Sequence, residues 1–143
     1  MNYSEKMETS AVQAHISMLQ GIINRMSANS ANCKTWTIAI ITALLVFIAD
    51  ENNSFNDIRI CAIPILLFYM LDSFYLGIER YVINQQKEFL DKARRDEDYV
   101  YSMFILKKQD NRACATLDAM FSFSTMPFYA LLSALMMILN NVI

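Results

Sequence analysis

Glycine and proline are nearly missing from this sequence: two of each in 143 residues, with a single histidine and three cysteines. Folds rich in strands or in βα units need many turns, so the shortage of turn residues argues for long helices. Two glycines exclude phosphate-cradling loops of the G-x-x-x-x-G-K or G-x-G-x-x-G kind. One histidine and scattered thiols without x-x spacing exclude the common zinc centres. Charged residues are also scarce, at 18%, while hydrophobic residues reach 55%, against a usual share of about 45–50%. The formal net charge of -2 gives no whole-protein signal for nucleic acid.

The placement of the few charges is the informative feature. Thr35 to Ala49 carries none, Ile60 to Ile78 carries only Asp72, and Ala119 to Ile143 carries none. Crossing about 30 Å of hydrocarbon takes about 20 apolar residues. The second and third runs meet that length, and the first meets it by extending into the small residues Ser27 to Cys33 or by local thinning of the bilayer. A soluble four-helix bundle would alternate apolar and polar faces, and Ile38 to Ile48 is apolar nearly all round. The expected fold is therefore all-α, an integral membrane protein with three transmembrane helices and cytoplasmic helical extensions, assembled as a homo-oligomer.

The positive-inside rule sets the orientation. With the N-terminus in the cytoplasm, every Lys and Arg except Arg59 lies inside. The layout is then a cytoplasmic amphipathic helix over 1–34, a first span over 35–50, an outer loop over 51–58 and a second span over 59–78. A cytoplasmic helical segment over 79–112 follows, and a third span over 113–143 ends outside. The first 34 residues hold no apolar core of a cleavable signal peptide, so the first span serves as the targeting signal. In this topology Cys33 and Cys114 lie at cytoplasmic ends and Cys61 near the outer end, which predicts no disulfide.

Within 1–34, Val12, Ile16, Leu19, Ile23 and Met26 follow the 4, 3 spacing of a helix packed along one seam. The seam covers the chain's own 79–112 segment or a second copy. His15 beside it has no nearby nucleophile and belongs to packing. Beyond Met26, small side chains permit close helix approach, and Lys34 and Trp36 mark the membrane interface.

Three groups of residues are candidates for function. First, in the 79–112 segment, Arg94, Arg95, Lys107, Lys108 and Arg112 bracket Tyr99 and Tyr101. Cations beside aromatic faces suit a single-stranded oligonucleotide, phosphates meeting charge and bases stacking on rings. The plain alternative is a solvated hairpin laced with ion pairs, since seven acids nearly cancel the eight bases. Second, Asp72 lies within the second span, about 9 Å from its cytoplasmic end at 1.5 Å per residue. A carboxylate there needs a partner or a wet cavity, unless burial keeps it protonated, and Lys34 at the same end of the first span is the expected partner. Third, Asp118, Ser122, Thr125, Tyr129 and Ser133 form a polar stripe on the third span. It either lines a pore, bounded by Leu132, Met136 and Leu139, or bonds packed helices together. Pro64 and Pro127 are expected to interrupt the second and third spans and let them bend.

The stretches Met18-Leu19-Gln20-Gly21, Asn29 through Trp36 and Pro64 through Glu79 resemble the small bacterial membrane effectors that accompany nucleotidyltransferases in anti-phage defence, of the Hailong type. That resemblance implies a homo-oligomeric ion channel of the inner membrane, gated by an oligonucleotide that the partner nucleotidyltransferase makes and depolarising the infected cell. The basic residues assigned to the ligand come from composition rather than from the resemblance. Two other classes compete: a non-conducting membrane scaffold and a holin-like lysis protein. The apolar C-terminus lacks the charged tail of a holin. No catalytic residue and no cofactor are expected, since no nucleophile–base pair or metal cluster is visible.

Overall fold

The computed structural model describes residue 5, residues 9–49, 57–95, 100 and 112–142. All regular structure among them is helical. α1 spans Ser10–Ile48, a 3₁₀ turn covers Ile58–Cys61, and α2 spans Ala62–Arg94. α3 spans Arg112–Met120 and α4 spans Met126–Val142. α1 is one uninterrupted helix of 39 residues, about 58 Å long. The small polar stretch Ser27 to Cys33 does not break it, because no Gly or Pro occurs there to release the backbone.

α1 and α2 form a long antiparallel hairpin. His15 packs on Phe89 with ring centroids 4.7 Å apart, Ser30 and Lys34 meet Asp72, and Trp36 stands edge-on to Phe68 at 6.4 Å. The buried face of α1 is Val12, His15, Leu19, Met26, Ser30, Cys33, Thr37, Ile41 and Ile48, a helical stripe that runs the length of the element. The predicted seam thus covers the chain's own second helix. Val12, Leu19 and Met26 are buried, while Ile16 and Ile23 are only half-buried on its flank.

The third apolar segment is not one span but two pieces. α3 and α4 are separated by a turn over 121–125, which corrects the continuous helix expected over 113–143. Pro127 is the cause: it has no N–H, and its ring clashes with the carbonyl four residues back, at Phe123. The turn satisfies its own backbone. The Thr125 hydroxyl donates to the Ala119 carbonyl at 2.7 Å, the Ser124 amide donates to Ser122 Oγ at 3.3 Å, and the Met126 amide to the Ser122 carbonyl at 3.0 Å. Pro127 is then the second residue of α4 and Pro64 the third of α2. Both stand in first turns, where a missing donor costs nothing, so neither kinks a helix from within as the sequence reading expected.

α1 and α2 with its 3₁₀ turn are long and apolar enough to cross a membrane, and α4 is a shorter apolar helix. Most of this apolar surface faces outward. Ile38, Val46, Phe47, Ile63, Leu66, Leu67, Leu131 and Met137 are exposed, and Phe123 is 94% exposed. A soluble bundle of this size would bury such side chains. One apolar core joins the far ends of the three long elements, with Ile41, Ile48, Ile58, Cys61, Ile65, Phe68, Tyr129 and Met136 at its centre.

The thiols follow the packing. Cys33 and Cys61 are buried and Cys114 is exposed, all free. Cys61 is therefore a poor reporter of the outer surface, although its place in the sequence pointed to one. The expected labelling pattern with a membrane-impermeant maleimide is fast reaction at Cys114 alone. In right-side-out cells Cys114 should react only after permeabilisation, and labelling of intact cells would reverse the assigned orientation.

Candidate functional site: a buried charge pair where three helices meet

Asp72 sits eleven residues into α2, about 15 Å along its axis, and its side chain is 0% exposed. Lys34 Nζ of α1 lies 2.6 Å from Asp72 Oδ2 and is 22% exposed. Ser30 Oγ, one turn before Lys34, donates to Asp72 Oδ1 and accepts from Lys34 Nζ at 3.3 Å. The carboxylate thus pairs with the ammonium through Oδ2 and accepts from the Ser30 hydroxyl at Oδ1. Lys34 thus turns into the helix pair rather than snorkelling to the interface beside Trp36, because a carboxylate in an apolar surround draws the nearest cation. Glu79 stands about two turns further along α2, half-buried. Burial raises its carboxyl pKa, with Arg80 opposing, Asp72 reinforcing and Lys34 opposing that shift.

A second layer surrounds the pair. Thr37 is fully buried, and its hydroxyl donates to the Cys33 carbonyl at 2.6 Å. Ser73, also fully buried, donates to the Tyr69 carbonyl at 2.7 Å. Tyr129 of α4 donates to the Phe68 carbonyl at 3.2 Å. One aromatic hydroxyl therefore links α4 to α2, one turn before Asp72.

The polar stripe of the third segment finds its partners inside the subunit. Arg80 of α2 donates to Ser122 Oγ at 2.5 Å and to Asp118 Oδ2 at 3.3 Å. Tyr69 donates to the Met120 carbonyl at 2.9 Å and packs on Tyr129 at 5.2 Å. Ser122, Thr125 and Tyr129 are buried, Ser133 is half-buried beside an apolar groove, and Asp118 is exposed. Ser122, Asp118 and Tyr129 tie α3, the turn and α4 to α2, while Thr125 bonds within its own segment. A pore wall of Thr125 and Tyr129 requires α4 to leave α2. Likewise Met136, with Leu132 and Leu139, packs into the subunit's core. Gly77 allows the close approach of α3: a Cβ there would meet the Ala115 carbonyl oxygen at 3.3 Å.

Of the basic cluster, Arg94 and Arg95 are exposed at the end of α2, and Lys92 pairs with Glu88 of the preceding turn at 3.2 Å. Arg112 opens α3. Tyr99, Tyr101, Lys107 and Lys108 lie outside the described residues, as do 51–56 of the outer loop.

The residues that sequence reasoning missed are Ser30, Thr37, Tyr69 and Arg80. Ser30 was visible only as one of several small polar residues before the first span. Arg80 had a usable signal: it is the first base after the second apolar run, and Asp118 is the last acid before the third. Antiparallel neighbours bring those two ends together. No protein family, curated protein or solved structure matches the chain.

Proposed function

We propose that this chain is the subunit of a homo-oligomeric ion-conducting pore of the bacterial inner membrane, closed in the conformation described, with its N-terminus in the cytoplasm and its C-terminus outside. The observation that carries the reading is the fully buried Asp72 carboxylate held by Lys34 and Ser30, one turn from the carbonyl that Tyr129 of α4 bonds, in a chain whose long helices expose their apolar residues. A passive anchor has no use for an ion pair at membrane depth, and such groups mark conduction or relay pathways. α4 is the moving part. It follows a hinge of five residues, 121–125, and polar ties from Tyr129, Tyr69 and Arg80 hold the segment to α2. Releasing those ties exposes Ser122, Thr125, Tyr129 and Ser133 as a hydrophilic wall.

The control element is the cytoplasmic extension of α1 and α2 with the segment that leads into α3. An oligonucleotide made by the partner nucleotidyltransferase, held on Arg94, Arg95, Tyr99, Tyr101, Lys107, Lys108 and Arg112, keeps the pore shut. Its removal during phage infection opens the pore and depolarises the cell. The intrasubunit bonding of the stripe favours a second reading, a non-conducting scaffold.

Planar-bilayer recording of the purified protein separates the two. Arg80→Ala removes the bonds to Ser122 and Asp118 without touching the charge pair. With the oligonucleotide still bound, the expected result is an open probability at least tenfold above that of the wild type, with cation preference lowered by a further Asp118→Asn, and nuclease treatment should open the wild type as well. Silence of the wild type and of Arg80→Ala alike, in bilayers where the protein is verifiably inserted, would leave the scaffold.

A further inference from the structure

Between α2 and α4 the two helices leave an open groove of about 670 Å³. Its walls are Ala62, Ile65 and Leu66 of α2 and Met126, Ala130 and Met137 of α4. Tyr69 and Tyr129 close the inner end, where the helices touch. Arg59 and Asn140 stand at the other end, one in the 3₁₀ turn that precedes α2 and one near the end of α4. The Arg59 side chain is 82% exposed, and its contact to Asp57 is a wide 3.8 Å between two exposed groups. A pair of that kind contributes little and leaves the guanidinium open to another anion.

We infer that this groove is a binding site for one anionic phospholipid, an acyl chain lying between α2 and α4 and the headgroup phosphate bonded to Arg59. The inference rests on the membrane reading above. Three features favour a lipid over a helix of a second copy. The groove volume lies in the usual range of small-ligand sites, about 300–1,000 Å³. Flexible Met126 and Met137 beside small Ala62 and Ala130 make an adaptable wall rather than a shape-specific one. The one basic residue on the outer side of the topology stands at the mouth, where a planar donor fork meets phosphate. The occupant lies against α4, so it also bears on how readily α4 leaves α2.

The test uses the full chain in mild detergent, mixed with phosphatidylglycerol or with phosphatidylcholine of the same acyl chains, and native mass spectrometry counts the lipid retained. The wild type should keep one phosphatidylglycerol per subunit, roughly tenfold more tightly than phosphatidylcholine, a factor worth about 1.4 kcal/mol. Arg59→Ala should erase that preference, and Ala130→Trp, at an exposed position that tolerates bulk, should lower retention of both lipids. Equal retention of the two lipids by the wild type overturns the inference, as does phosphatidylglycerol binding untouched by both variants. So does an oligomer that dissociates in Ala130→Trp while lipid binding is unchanged, which makes the groove a subunit contact. Release of the wild type from membranes by alkaline carbonate overturns the membrane reading and this site together. Failure of the lipid test in a carbonate-resistant protein overturns the lipid site alone.

Discussion

Asp72→Ala should lower the stability of the helical hairpin by roughly 3–5 kcal/mol, the usual cost of leaving one member of a buried ion pair alone. The cation left behind, Lys34 Nζ, is only 22% exposed, so it must stay unpaired among apolar side chains or drag α1 toward water. Ser30 loses its acceptor at the same time. The reverse experiment tells stability from function. Lys34→Met with Asp72→Leu removes both charges and fills the space with apolar volume, which in buried pairs is often neutral or stabilising. The double variant should therefore recover the thermal midpoint of the wild type, read by circular dichroism or by fluorescence of Trp36 in detergent. Conduction should not recover with it. If the folded double variant conducts and gates like the wild type, the pair serves packing only, and the functional reading of this site fails.

The second large effect is expected at Leu19. This residue is buried on the face of α1 that meets α2, between the His15–Phe89 contact and Met26. Leu19→Asp forfeits about 1.5–3 kcal/mol of side-chain burial and adds an unpaired carboxylate to an apolar seam, for a total of several kcal/mol. The cytoplasmic half of the hairpin should open, seen as new protease cleavage within 10–30 and 79–95, while the membrane half stays protected. Ile23 follows the same repeat in sequence but is only half-buried, so Ile23→Asp should cost much less. A larger loss at Ile23 than at Leu19 would mean that the flank, rather than the centre of the stripe, carries the packing, with a second subunit as its partner.

The contrast between those two residues marks how far the sequence reaches. Spacing identified an apolar stripe on the first helix and offered two surfaces for it, because helical periodicity says which residues share a face and nothing about what lies opposite. The opposing surface is α2, and the antiparallel register that sets Phe89 against His15 and Asp72 against Lys34 decided it. The partner of Asp72 was legible for a stronger reason. A lone acid in an apolar run has few candidate cations, and the two charges lie at the same end of adjacent antiparallel runs. Burial leaves no tolerable alternative to pairing them.

The third segment was misread for a physical reason as well. A charge-free stretch of 25 residues, Ala119 to Ile143, satisfies the length criterion of a span, and hydropathy does not register a backbone break. The break was written in local chemistry, Ser122, Ser124 and Thr125 ahead of Pro127. Those hydroxyls compete for backbone groups, and proline opens helices more readily than it continues them. The same residues read as a polar stripe when a continuous helix is assumed, and the stripe alone leaves a pore wall and helix packing both open. Composition and charge placement alone determined that the chain is helical and apolar enough to meet a membrane, since both follow from hydrogen-bond satisfaction and hydrocarbon thickness; of the three spans expected, the structure gives two helices of crossing length. Only the tertiary structure decided which polar groups face one another. Arg80 reaches Ser122 and Asp118, and Tyr129 reaches the Phe68 carbonyl, because α3 and α4 fold back along α2 across a turn that no one-dimensional pattern places in space.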